Sequence, residues 1–218
     1  MDAERWICLD VGETLIDETR IWSIWADELG VPRLTFLAAL GAVIARGEEY
    51  RAVFPIFGAD DWQLRTASVE RTYGGFAASD LYADALPALD ALHDAGYRLA
   101  VVANQPASRA DELRAIGVDA EVMAMSEALG VAKPAPAFFA RTLELMGGPD
   151  PASVAYVGDR VDNDVIPSAA AGMRSVWLRR GPWGFIQHLP DGVRPHLVVD
   201  SLGELVERIG SVWESGAR

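Results

Sequence analysis

The chain has 218 residues, with 32 acidic against 19 basic side chains and a formal charge of −13. Such a surface repels polyanions, so nucleic acid and acidic membranes are excluded as expected partners. The length allows one sizeable core, or a core domain with a smaller insertion, and the single cysteine, Cys8, excludes an intramolecular disulfide.

The amino-terminal MDAERW is acidic and polar, unlike a signal peptide, and no run reaches ~18 uninterrupted apolar residues, so a cytoplasmic protein is expected. Heavy use of Ala, Arg and Gly with almost no Lys suits a GC-rich bacterial genome. The first apolar run, residues 6–10, predicts a buried strand with Cys8 as a core thiol, because no cation beside it lowers its pKa. From Glu18 to about Tyr82 the spacing is helical, notably over residues 21–29 and 35–45, and no convincing strand occurs. Further strands are predicted over 98–103, 121–125, 154–157, 175–178 and 197–199, and helices over 88–95, 109–116, 136–146 and 165–171. Each of these four helices stops at a glycine. The carboxyl-terminal SLGELVERIGSVWE reads as an amphipathic helix packing Leu202, Leu205 and Ile209 on the core.

This alternation predicts an α/β fold, a doubly wound, Rossmann-like parallel sheet with a small, mainly α-helical cap. The core domain is assigned to residues 1–17 and 83–218 and the cap to 18–82. In the cap, Arg46, Arg51, Trp22, Trp25 and Trp62 are candidates to line a pocket, although most tryptophans there are expected to pack helices. RRGPWGF, residues 179–185, reads as a loop or turn after the fifth strand. His93, His188 and His196 read as structural or solvated.

Lys133 is the only lysine; the other basic residues are arginines. A compact ammonium in place of a planar fork suits a phosphate site, against the plainer account of a surface lysine left by chance. Asp10 ends the first strand, and in isolation it could simply cap a turn. Asp159 ends the fourth strand, and Asp162, Asn163 and Asp164 open the next helix. Asp162 is expected to serve helix capping. In a doubly wound sheet, residues far apart in sequence meet where strand order reverses. Carboxylates gathered there repel one another unless a cation joins them, and hard oxygen ligands without His or Cys point to Mg²⁺.

The segments DVGETL, KPAPAFF and GDRVDND, in this order and context, resemble the first, third and fourth motifs of the haloacid dehalogenase (HAD) superfamily. The resemblance covers essentially the whole chain, including a helical cap inserted after the first motif. It implies that Asp10 is a nucleophile forming a covalent aspartyl intermediate, and that Lys133 steadies it and the transferring phosphoryl group. It also implies that Mg²⁺ is held by Asp10, the backbone carbonyl of Gly12, Asp159 and Asp164. The implied activity is that of a Mg²⁺-dependent phosphatase acting on a small phosphorylated metabolite, as a monomer or homodimer.

Two positions depart from the family pattern. Phosphatases of this kind carry an acid/base aspartate two residues after the nucleophile, where this chain has Gly12; Glu13 could serve only if the turn is distorted. The second motif places Ser or Thr at the end of the second strand, where this chain has Ala103, followed by Asn104 and Gln105 as substitute phosphate binders, with Ser108 nearby. Ala103 itself could simply be a small residue packing under the sheet. These departures leave open a hydrolase for good leaving groups, a slow phosphatase or phosphotransferase with a persistent phosphoaspartate, and a non-catalytic relative that keeps the metal site. A 2-haloacid dehalogenase, which needs no metal, ranks below phosphoryl transfer.

Overall fold

The structure, a computed structural model, describes residues 4–214; the first three residues of MDAERW and the last four of the expected core segment lie outside the described residues. The strands β1 (Trp6–Leu9), β2 (Arg98–Ala103), β3 (Val122–Met125), β4 (Val154–Gly158), β5 (Arg174–Leu178) and β6 (Leu197–Val199) form one parallel sheet. Their order is β3-β2-β1-β4-β5-β6, so the winding reverses between β1 and β4. The helices, in chain order, are α1 (Thr19–Glu28), α2 (Arg33–Ala45), α3 (Val53–Ile56), α4 (Trp62–Tyr73), α5 (Ala85–Asp94), α6 (Arg109–Ala115), α7 (Ser126–Leu129), α8 (Pro136–Leu145), α9 (Ile166–Ala170), α10 (Gly181–Ile186), α11 (Leu202–Arg208) and α12 (Ser211–Glu214).

Apart from Arg98, Arg174 and Ser175 at strand starts, the strands are apolar, because helices cover both faces of the sheet. Ile7, Leu9, Val101 and Val157 pack with Leu89 and Leu92 of α5 and Leu202 and Leu205 of α11. The alternate residues Trp6, Cys8, Val102 and Tyr156 pack on the other face with Phe138 and Phe139 of α8. Cys8 is fully buried and its thiol is held well above its ordinary pKa by that burial, as a core residue should be. The Tyr156 hydroxyl donates to the Val102 carbonyl at 3.0 Å, which satisfies its one polar atom inside the core.

Helices α1 to α4 surround a second apolar cluster built from Trp22, Trp25, Phe36, Leu40, Val43, Phe54 and Val69. The rings interlock, with Trp25 and Phe54 at 4.6 Å and Phe54 stacked on Trp62 at 5.1 Å. No strand occurs among the described residues between α1 and α5, in keeping with the helical spacing there. No single helix among the described residues is long and apolar enough to cross a membrane.

Three segments differ from the sequence expectation. RRGPWGF is not a loop: from Gly181 it forms α10, with Pro182 in the first turn, where its missing N–H costs nothing. The gain is Trp183, which joins the aromatic cluster of α1 to α4 at 6.4 Å from Trp22 and 6.2 Å from Tyr50. The helix expected from residue 165 is preceded by a wide π-type turn over Val161–Val165, where the amides of Asp164 and Val165 share the Arg160 carbonyl. The carboxyl-terminal helix is broken at Ile209 and Gly210, a residue of low helix propensity, although Leu202, Leu205 and Ile209 are buried as expected.

Arg20 on α1 ties that helix to the end of α4 and to the segment that follows it. Its guanidinium donates to both oxygens of Asp80, at 2.8 and 2.5 Å, and to the carbonyls of Tyr73 and Gly75, each at 2.6 Å. Burial raises the Asp80 carboxyl, but the Arg20 bonds outweigh it and hold the pKa below its ordinary value of 3.8. Arg20→Met is expected to cost about 1–2 kcal/mol in urea unfolding at neutral pH, since the arginine is partly exposed. A depressed carboxyl pKa stabilises above the unfolded value, so the gap between wild type and variant should close as pH falls below 3.8.

Candidate active site

Asp10 and Asp159 each follow the last residue of adjacent strands. The register pairs Leu9 with Val157, and the Asp10 amide donates to the Val157 carbonyl at 2.9 Å, so both carboxylates emerge side by side where the winding reverses. The wide turn after β4 returns Asp164 to the same edge, where its Oδ2 accepts the Arg160 amide at 3.0 Å. Carboxylate oxygens of Asp10, Asp159 and Asp164 all lie within 4.8 Å of one another, and all three residues are buried.

Lys133 enters this cluster from the segment before α8. Its Nζ stands 2.7 Å from Asp10 Oδ1 and 2.6 Å from Asp164 Oδ1, with the side chain almost wholly enclosed. Burial works to lower its pKa, but Asp10 and Asp164 outweigh burial and raise it, so the ammonium stays charged. Asn104, at the end of β2, fixes the lysine backbone from both sides. Its Nδ2 donates to the Lys133 carbonyl at 2.9 Å and its Oδ1 accepts the Lys133 amide at 2.7 Å.

One ammonium does not neutralise three carboxylates. Burial, with Asp164 and Asp10 beside it, raises the Asp159 carboxyl well above its ordinary pKa. Burial also raises Asp164, against the pull of Lys133. Asp159 Oδ2 is buried without a hydrogen-bond partner. An orphaned carboxylate oxygen among oxygen-only donors fits a hard divalent cation, whose charge would remove the repulsion.

The turn after β1 is distorted at Glu13, which adopts φ +52°. Its carboxylate, on the cavity lining, is engaged by two partners. Oε2 accepts the Tyr82 hydroxyl and Oε1 accepts the Glu18 amide at 3.1 Å. Gly181, at φ +63°, leaves room for this carboxylate where any Cβ would collide with it.

A cavity of about 890 Å³ opens over the cluster. Asp10, Gly12, Lys133 and Asp159 form its floor with Asn104 and Gln105, and Trp22, Trp25, Phe54, Trp62 and Arg51 line the helical side. Ala103 is buried in the sheet core beneath, as a small packing residue. Arg46 does not line the cavity but pairs with Glu48 at 2.7 Å on the surface, and the Ser108 hydroxyl donates to Glu112. Asp162 takes Arg160 at 2.7 Å and the Gln187 amide at 2.8 Å, outside the carboxylate cluster. His196 contacts Arg174 and Ser175, away from the site.

Two cavity residues have no signal of their own in the sequence. Arg160 stacks 5.1 Å over Trp183, and only its place inside an acid-rich run sets it apart. Glu18, half-buried, precedes α1 and lines the cavity. Enclosure, followed by the charges of Glu13 and Asp10, pushes its carboxyl up to about 8.

A family model described as haloacid dehalogenase-like hydrolase matches residues 5–172. The chain is 31% identical over 135 residues to a glyceraldehyde 3-phosphate phosphatase of Methanopyrus kandleri, covering 61% of this chain and 58% of the relative. It is 35% identical over 85 residues to the pyrimidine 5′-nucleotidase YjjG of Escherichia coli, covering 39% and 36%. The matches thus span 58% and 36% of the lengths of these curated relatives. The solved structure of the HAD-hydrolase YfnB from Bacillus subtilis, bound to magnesium, superposes with a TM-score of 0.69 at 18% identity, over 94% of this chain and 98% of that one. Solved 2-haloacid dehalogenases share the same fold.

Replacing Lys133 with Met leaves buried carboxylates unpaired, a change expected to cost about 3–5 kcal/mol in urea unfolding at pH 8 with chelator present. Carboxyls raised by burial destabilise above their folded pKa, and losing Lys133 raises Asp164 further, so the deficit of Lys133→Met should shrink as pH falls through that raised pKa toward the unfolded value of 3.8.

Proposed function

The chain belongs to the haloacid dehalogenase-like hydrolases, and on that premise we propose that it is a Mg²⁺-dependent phosphatase acting on a small phosphorylated metabolite through a phosphoaspartate on Asp10. The observation that supports this most directly is the carboxylate cluster itself. Three buried acids, Asp10 among them and Asp159 with an orphaned oxygen, would repel an anionic haloacid but suit a site completed by a cation. The two curated relatives, a phosphatase and a nucleotidase, agree with it.

In this reading Lys133 holds Asp10 through Oδ1 and leaves the other carboxylate oxygen to attack phosphorus. The ammonium also faces the incoming phosphoryl oxygens as a point charge. Asp10, Asp159, Asp164 and the Gly12 carbonyl would hold Mg²⁺, which supplies charge neutralisation on the transferring group. Asn104 keeps Lys133 in place through its backbone, while Gln105 stands on the cavity wall within reach of a phosphate. Residues 18–82 act as the cap, and closing its aromatic wall over the cavity excludes water while the phosphoenzyme forms. The protein acts in the cytoplasm, as a monomer or homodimer.

Phosphate release from a panel of alkyl, aryl and acyl phosphates is expected to require Mg²⁺ and to vanish in Asp10→Asn; turnover that survives in that variant would sink the mechanism. Independently of turnover, Mg²⁺ at 100-fold excess over its dissociation constant should stabilise the wild type by about 2.7 kcal/mol in thermal unfolding. Asp159→Asn should lose most of that stabilisation.

A further inference from the structure

The place of the absent acid/base side chain is not empty. A Cβ built on Gly12 would lie 2.5 Å from Glu18 Oε1 and 2.9 Å from Glu18 Cδ, so the Glu18 carboxyl would have to move aside for any side chain there. The Glu18 carboxyl therefore lies against Gly12 where a side chain at this position would begin, and the glycine is what gives it room there. It reaches that volume from the first residue of the helical region, on the wall of the cavity whose floor holds Asp10 and Lys133.

A structural role does not account for this side chain. Glu18 stands at the N-cap of α1, yet its carboxylate accepts none of the free amides of that helix. Its partners are two long contacts, the Trp22 indole Nε1 at 3.3 Å and the Gln105 amide at 3.5 Å. Both partners line the cavity, as do Glu18 and Asp10, and two such long contacts leave the carboxyl with hydrogen-bonding capacity to spare. The Glu18 backbone, by contrast, is firmly placed: its amide is held by Glu13 at 3.1 Å and its carbonyl accepts the Trp22 amide at 3.1 Å.

We propose that Glu18 is the acid/base residue of this enzyme, supplied from the start of α1 in place of the side chain missing at Gly12. The assignment rests on the reading of Asp10 as a phosphoryl acceptor. In the first step an Asp10 oxygen bonds to phosphorus as the phosphorus–oxygen bond to the leaving group breaks. The departing oxygen takes the proton of the Glu18 carboxyl and leaves as an alcohol. In the second step Glu18, now a carboxylate, takes a proton from water as the water oxygen bonds to phosphorus. The bond from phosphorus to Asp10 then breaks, releasing phosphate and restoring both side chains.

The test compares wild type, Asp10→Asn, Glu18→Gln and the exchange variant Gly12→Asp with Glu18→Ala, with folding checked by thermal unfolding. An alkyl phosphate and p-nitrophenyl phosphate serve as substrates with Mg²⁺. Glu18→Gln is expected to lower alkyl phosphate turnover by ~10²–10⁴-fold and to affect the first step with the aryl ester far less. Nitrophenol should then appear in a burst stoichiometric with enzyme, with phosphate retained on the protein. The exchange variant should recover alkyl turnover, because the aspartate is now free of the clash. Alkyl turnover by Glu18→Gln as fast as wild type, or a loss with neither burst nor recovery, overturns the role of Glu18 and leaves the hydrolase standing. Wild-type turnover that survives in Asp10→Asn, or no release from either ester, overturns the hydrolase reading and this assignment with it.

Discussion

A single buried ammonium holds the reactive edge of the sheet together. Lys133 reaches Asp10 from β1 and Asp164 from the turn after β4, joining the two halves of the sheet at the point where its winding reverses. Without a cation, like charges this close and this enclosed could not be kept ionised at neutral pH. The need explains why the lysine backbone is clamped by Asn104 as well as its side chain being paired. A group that orders two carboxylates must itself be ordered. The pair still leaves Asp159 uncompensated, and an oxygen-only cluster of this kind suits a hard cation.

The aromatic cluster of α1 to α4 walls one side of the cavity above this edge, and α10 ties that cluster to the turn after β4. Trp183 sits among the rings of α1 to α4, while Arg160 from the turn after β4 stacks on its other side. At the end of α10, Gln187 accepts the Val161 amide at 2.7 Å and donates to Asp162. Movement of the helical region would therefore be felt at the turn that carries Asp164. The acid-rich run after β4 thus divides its labour, with Asp159 and Asp164 facing the site and Asp162 bracing Arg160 and α10.

The turn after β1 shows how one small residue redistributes roles among its neighbours. Gly12 leaves a gap beside Asp10, and two glutamates flank it. Glu13, at positive φ, is drawn toward Tyr82 and Gly181 and spends its carboxylate on positioning the Glu18 amide. Glu18 then fills the gap from the cavity side. A site that lacks a residue in its motif need not lack the chemistry, provided a neighbour in space offers the same group at the same point.

Much of this protein is written locally in its sequence. The apolar runs placed every strand within a residue or so, because a strand buried on both faces has to be apolar along its length. The spacing between Glu18 and Tyr82 likewise marked the helical region, and the motifs singled out Asp10, Lys133, Asp159 and Asp164, whose carboxylates and ammonium the fold brings together. Direction of side chains was not legible in the same way. Asn104 turns to the Lys133 backbone, Arg46 to the surface, Trp183 into the cluster of α1 to α4, and Glu18 into the space over Gly12. Each of these depends on which atoms from distant segments occupy the surrounding volume. Periodicity and motif spacing determine which elements form and which residues reach the sheet edge; only three-dimensional packing decides which carboxylate fills a vacancy there.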